Sequence, residues 1–153
     1  MTNQSNSSSS TLKPTNHLAP FFQSYELYNS TGNIPALIAQ FADTFMAAGP
    51  GGAQCVRSAD FALALPKRIQ LFQSLGCRST KLVSCVETQL DARFIMAETR
   101  WQMTFVRDGQ PPKVVFADSL FIVDVSSEPQ KIVFYLAHQD LAATVTNQGI
   151  HSA

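Results

Sequence analysis

From Thr80 to His138 the period of the chain changes from helical to two-residue, in four strand-like runs at about 80–90, 93–107, 113–125 and 131–138. Asp91-Ala92, Asp108-Gly109-Gln110-Pro111-Pro112 and Ser126-Ser127-Glu128-Pro129-Gln130 separate them. Successive strand residues point to opposite faces, and connections this short, rich in Asp, Gly, Ser and Pro, turn a chain back on itself rather than carrying it across a sheet. The four runs therefore predict an antiparallel meander. The preceding segment has a different period. Leu18, Phe21, Phe22, Tyr25 and Tyr28 recur at spacings of three and four, which predicts an amphipathic helix ended by Gly32. Helices first and a long-stranded sheet second predict an α+β fold, with one core in 153 residues.

Asn33 is the expected N-cap of a second helix, with Pro35 in its first turn and Ile34, Leu37, Ile38, Phe41 and Phe45 on one stripe. Gly49-Pro50-Gly51-Gly52 interrupts the pattern, and a short strand is expected through Cys55 and Val56. Pro66 suits the start of a third helix carrying Ile69, Phe72 and Leu75, stopped by Gly76. Residues 1–16, mostly Ser, Thr, Asn and Gln, are expected to form a disordered polar tail, because they offer too little apolar surface to offset their ordering entropy. The folded domain is expected over 17–147, with a short helix or ragged segment from about Asp140 and a tail over 148–153.

The two faces of the strands carry separate information. On 93–107 the odd positions are Ile95, Ala97, Thr99, Trp101, Met103 and Phe105, whereas the even ones include Glu98, Arg100, Gln102 and Thr104. The odd face should meet the helices. On 113–125 both registers are largely apolar, Val115, Ala117, Ser119, Phe121 and Val123 against Val114, Phe116, Leu120 and Ile122. A strand apolar on both sides needs cover on both. The helices supply one cover and a second copy of the chain the other, so a homodimer through the sheet is expected.

Eleven basic residues balance eleven acidic ones, which argues against a duplex-binding surface, where phosphates call for a basic excess. Only 14% of residues are charged, which again favours self-association. No run approaches the ~20 apolar residues of a spanning helix, and the N-terminus lacks a signal peptide's apolar segment, so no membrane association is expected. Cys55, Cys77 and Cys85 are odd in number and lack CxxC spacing, which points to reduced thiols in the cytoplasm. His17, His138 and His151 show no ligand spacing, so neither a metal nor another cofactor is expected.

The order of three helices, a broken first strand and a bent meander resembles the nuclear transport factor 2-like superfamily, and within it the SnoaL-like proteins, relatives of ketosteroid isomerase, scytalone dehydratase and limonene epoxide hydrolase. The residues that carry the resemblance lie within about 17–141: Phe22-x-x-Tyr25, Thr31-Gly32-Asn33, Phe41-Ala42-Asp43, Arg100 to Phe105 and Ile132 to Asp140. It implies a cystatin-like cone, three N-terminal helices packed on a curved antiparallel sheet around an apolar pocket. The isomerase branch needs an Asp base with a Tyr and a protonated Asp as oxyanion donors. On the resemblance Tyr25 takes the tyrosine's place, the base falls on Gly49, and the acid falls on Asp118 or Ser119 according to a one-residue choice of register. Glycine accepts no proton, so steroid isomerisation is not expected.

The expected pocket residues are Tyr25, Phe41, Phe45, Trp101, Met103, Ser119 and Phe121, with Asp118 and His138 as possible polar groups. Tyr25 is either a hydrogen-bond donor to a ligand or a tyrosine packed by helical spacing alone; Trp101 is a pocket wall or a core residue. His138, near Asp140, is an acid–base candidate or an exposed histidine. Glu98, Arg100 and Asp118 are a catalytic cluster, or a solvated or interfacial one. Three functions follow. The first is a module that binds a small apolar or oxygenated molecule. The second is an acid–base enzyme of isomerase, cyclase, dehydratase or hydrolase type acting on a polycyclic or terpenoid substrate. The third is an assembly dimer with a filled core.

Overall fold

The structure is a computed structural model that describes residues 14, 15 and 17–150, the first two by backbone only. The expectation of a disordered tail therefore falls mostly outside the described residues. Helix α1 (Ala19–Thr31) is closed by Gly32 in the left-handed region, φ 67°, and the Asn33 amide donates to the Tyr28 carbonyl at 2.9 Å. Its first turn has no cap of its own. The Glu87 carboxylate, far along the chain, accepts from the Leu18 amide with its two oxygens at 3.0 and 3.1 Å. That bond fixes α1 across the sheet and buries Leu18 and Phe22 completely.

Helix α2 (Ile34–Ile38) is capped by Asn33, whose Oδ1 accepts from the Ala36 amide at 3.3 Å. It stops well short of the expected stripe, because Phe41 already begins strand β2 (Phe41–Gly49). Phe41 and Phe45 are both buried, yet their spacing of four is two strand periods as well as about one helical turn. The decision lies with a partner distant in sequence. Strand β7 (Lys131–Ala137) pairs in parallel with β2, and the Ile132 amide donates to the Gln40 carbonyl at 2.7 Å. Strand β3 (Gly52–Arg57) returns antiparallel on β2.

Helix α3 (Ser58–Ser74) starts eight residues before the expected Pro66, which sits inside it. Asp60 in the first turn complements the helix dipole, and the exposed Pro66 costs one backbone hydrogen bond that packing of Phe61, Leu65 and Phe72 into the core offsets. Gly76 then ends the helical segment at φ 96°. A Cβ there would lie 2.6 Å from the Val106 carbonyl oxygen, so both backbone conformation and space demand glycine.

The meander forms as expected from β4 (Cys77–Gln89), β5 (Phe94–Phe105), β6 (Lys113–Asp124) and β7. With the short edge strand β1 (Pro14–Thr15) the order is β1-β4-β5-β6-β7-β2-β3, antiparallel except for β7–β2. Residues Ile95 to Phe105 at odd positions of β5 are buried, as the alternation requires. The core falls into two clusters, one around Phe22, Phe41, Trp101 and Phe121, the other around Met103, Phe105 and Val115. Helix α4 (Leu141–Asn147), capped by Asp140, closes the second cluster with Val145, and Ile150 beyond it is also buried.

Candidate functional site

A cavity of about 750 Å³ opens where the two core clusters meet. Its inner wall is aromatic: Tyr25 from α1, Phe41 from β2, Phe61 from α3, Trp101 from β5, Phe121 from β6 and Tyr135 from β7. The Tyr25 ring lies 5.5 Å from both Trp101 and Phe121, and Phe121 lies 5.1 Å from Tyr135. A volume of this size holds a drug-sized molecule.

The wall is held rigid from behind. Trp101 Nε1 donates to Thr99 Oγ1 at 2.9 Å, and that hydroxyl donates to the Ser119 carbonyl at 3.2 Å, joining β5 to β6. Tyr25 is different. Its hydroxyl has no hydrogen-bond partner among the described residues, and part of its surface faces the cavity. Burial pushes the Tyr25 phenol well above its ordinary range, with Tyr135 adding to the shift and the Arg68 charge opposing it. At neutral pH it stays a protonated phenol, able to donate to a ligand oxygen.

Of the expected pocket residues, Tyr25, Phe41, Trp101, Met103, Ser119 and Phe121 border this cavity. Phe45 does not; it stands behind Phe41, ring to ring at 4.7 Å. The register question is resolved by pairing: Thr99 faces Ser119 and Arg100 faces Asp118, which leaves Ser119 buried on the inner side. Asp118 borders the cavity, but its carboxylate binds Arg100 at 3.0 Å, with both side chains about half exposed. His138 is exposed, is not among the bordering residues, and joins the sheet through its amide, which donates to the Asp118 carbonyl at 3.2 Å. Gly49 ends β2 beside Ala137 and brings no acceptor.

Phe61, Tyr135 and the rim cations Lys67, Arg68 and Arg78 complete the cavity without having been singled out in the sequence. Phe61 was legible, since Phe61, Leu65 and Ile69 keep helical spacing, but Pro66 masked the helix start. Tyr135 was not legible. A bulge at Val133, where Ile122 pairs Phe134 and Val123 pairs Ile132, switches which parity of β7 faces inward. Cys77 also borders the cavity, and burial pushes its thiol up, away from the reactive thiolate.

No protein-family model matches the chain, and no curated protein sequence matches it. Solved structures do. A cystatin-like, NTF2-like protein from Novosphingobium aromaticivorans superposes with a TM-score of 0.65 at 13% identity, over 83% of each chain. The β subunit of benzoate 1,2-dioxygenase from Burkholderia mallei gives 0.64 at 13% identity, over 82% of this chain and 90% of its own. A putative polyketide cyclase from Xanthomonas campestris pv. campestris gives 0.54 at 19% identity, over 83% and 95%. The fold is therefore the cystatin-like fold of the NTF2-like proteins, as the sequence resemblance implied.

Proposed function

We propose that the protein holds a small apolar or oxygenated molecule in the cavity of its cone. The observation that carries this reading is the Tyr25 hydroxyl, without a hydrogen-bond partner among the described residues, in a cavity of about 750 Å³ with aromatic walls. Such a site gains apolar burial for a ligand's body and one directional hydrogen bond for an oxygen on it. Acid–base turnover, of the kind a cyclase performs, needs a proton acceptor as well. The Asp118 carboxylate is held by Arg100 and the Asp140 carboxylate caps α4, so the arrangement favours binding over catalysis. An assembly role with a core filled by side chains fits an open cavity poorly.

A homodimer through the outer face of the sheet belongs to the same reading. On that face Val86, Val114 and Phe116 are 46%, 43% and 42% exposed, a solvated apolar surface of the kind that marks an interface. Three thiols without a disulfide suit a cytoplasmic location; none of the described helices is long and apolar enough to cross a membrane.

Native mass spectrometry of freshly purified protein tests this. A dimer carrying extra small-molecule mass is the expected result. A bare chain that takes up no apolar ligand at millimolar concentration overturns it.

A further inference from the structure

The rim of the cavity differs from its walls. Lys67 and Arg68 of α3 and Arg78 of β4 border it, all three exposed, and none forms an ion pair among the described residues. Two carboxylates share the rim. That of Asp118 is neutralised by Arg100, and that of Asp140 accepts from the Ala143 amide. The chain as a whole has no net charge, so three unpaired cations at one opening are a local excess rather than a reflection of composition. Arg68 is also held in place, its guanidinium 5.6 Å from the centre of the Phe72 ring, another residue that borders the cavity.

From this juxtaposition we infer that the ligand is an apolar organic acid, its hydrocarbon or aromatic body against Tyr25, Trp101 and Phe121 and its carboxylate at the rim with Lys67, Arg68 and Arg78. The inference rests on the binding role of the cavity. Apolar walls alone accept any hydrophobic molecule; the cations select the one that presents a negative charge at the mouth and fix which end enters first. A guanidinium suits this task because its planar fork matches a carboxylate bidentately. The Arg68 charge is felt as deep as Tyr25, where it opposes the upward shift that burial and Tyr135 impose on the phenol. Tyr25 and the three rim cations border the same cavity, so head group and hydroxyl donor belong to one site.

The test compares 1-pyrenebutyrate with its neutral amide, 1-pyrenebutyramide, reading each by quenching of Trp101, the single tryptophan of the chain. The acid is expected to bind about tenfold more tightly than the amide at low salt, with the ratio shrinking as salt is raised. Arg68→Gln is expected to weaken the acid about fivefold while leaving the amide within about twofold, and the double variant Lys67→Gln/Arg78→Gln to act in the same direction. All three positions are exposed, so the variants retain the fold, which circular dichroism checks. Equal affinity for acid and amide overturns the inference and leaves the cavity as a binding site. A preference for the acid that survives both variants overturns the assignment of the rim cations. No binding of either pyrene overturns the cavity reading and this inference with it.

Discussion

Trp101 and Thr99, two residues apart on the inner face of β5, are joined by a bond from the indole N–H to the threonine hydroxyl at 2.9 Å. The same hydroxyl donates onward to the Ser119 carbonyl, so the orientation of the cavity's largest wall residue is set by the neighbouring strand. Thr99→Val keeps the shape and removes both bonds. It is expected to destabilise the fold by about 1–3 kcal/mol in urea denaturation and to shift Trp101 emission, because a buried indole N–H loses its acceptor. Trp101→Ala, at a side chain only 5% exposed, is expected to cost about 3–5 kcal/mol.

Tyr25 offers the opposite contrast. Its ring packs but its hydroxyl bonds to nothing among the described residues, so Tyr25→Phe is expected to leave stability nearly unchanged and to weaken an oxygen-bearing pocket ligand by about threefold to tenfold. Calorimetric titration of the wild type and variant with one such ligand measures it. Unchanged affinity would take Tyr25 out of the site.

The raised phenol has a pH consequence. In the unfolded chain Tyr25 ionises near 10, and in the folded chain only above that, so the unfolded state releases its proton first as pH rises. The stability this group contributes is complete below pH 10 and is lost progressively above it. Denaturation midpoints between pH 9 and 11 should fall less steeply for Tyr25→Phe than for the wild type.

Asp124 works in the other direction. Hydrogen bonding from Ser126 holds its carboxyl below the ordinary range, burial opposes this, and Arg93 at 2.9 Å adds to the lowering. Its contribution is present above about pH 4 and disappears as pH falls through the lowered value. Asp124→Asn should therefore lower the midpoint at pH 7 and flatten its decline below pH 4.

On the outer sheet face, Phe116 lies in the apolar patch with the Arg100 guanidinium 5.0 Å from its ring centre. Phe116→Glu places a charge in the proposed dimer interface while touching no buried side of the sheet. Light scattering is expected to give twice the chain mass for the wild type and the chain mass for the variant. A monomeric wild type would remove the dimer.

The alternation of β5, the turns between β4 and β7 and the Gly32 and Gly76 stops were legible in the sequence, because each follows from local period or backbone sterics, whereas the inward placement of Ser119 waited on the β5–β6 pairing. With them came the α+β class and the meander of β4 to β7. The tertiary structure decided what depends on a partner far along the chain. Phe41 became strand rather than helix because β7 supplies its partner, and Phe45 because β3 does. The bulge at Val83 in β4, beside which the Leu82 amide donates to Glu26 at 2.6 Å, moved the inward parity from Leu82 to Cys85 and Glu87. The bulge at Val133 brought Tyr135 to the cavity. A one-residue slip reverses every side chain beyond it, and nothing in a local pattern announces where the slip occurs. The cationic rim is of the same kind: only packing of α3 and β4 around one opening makes Lys67, Arg68 and Arg78 a set.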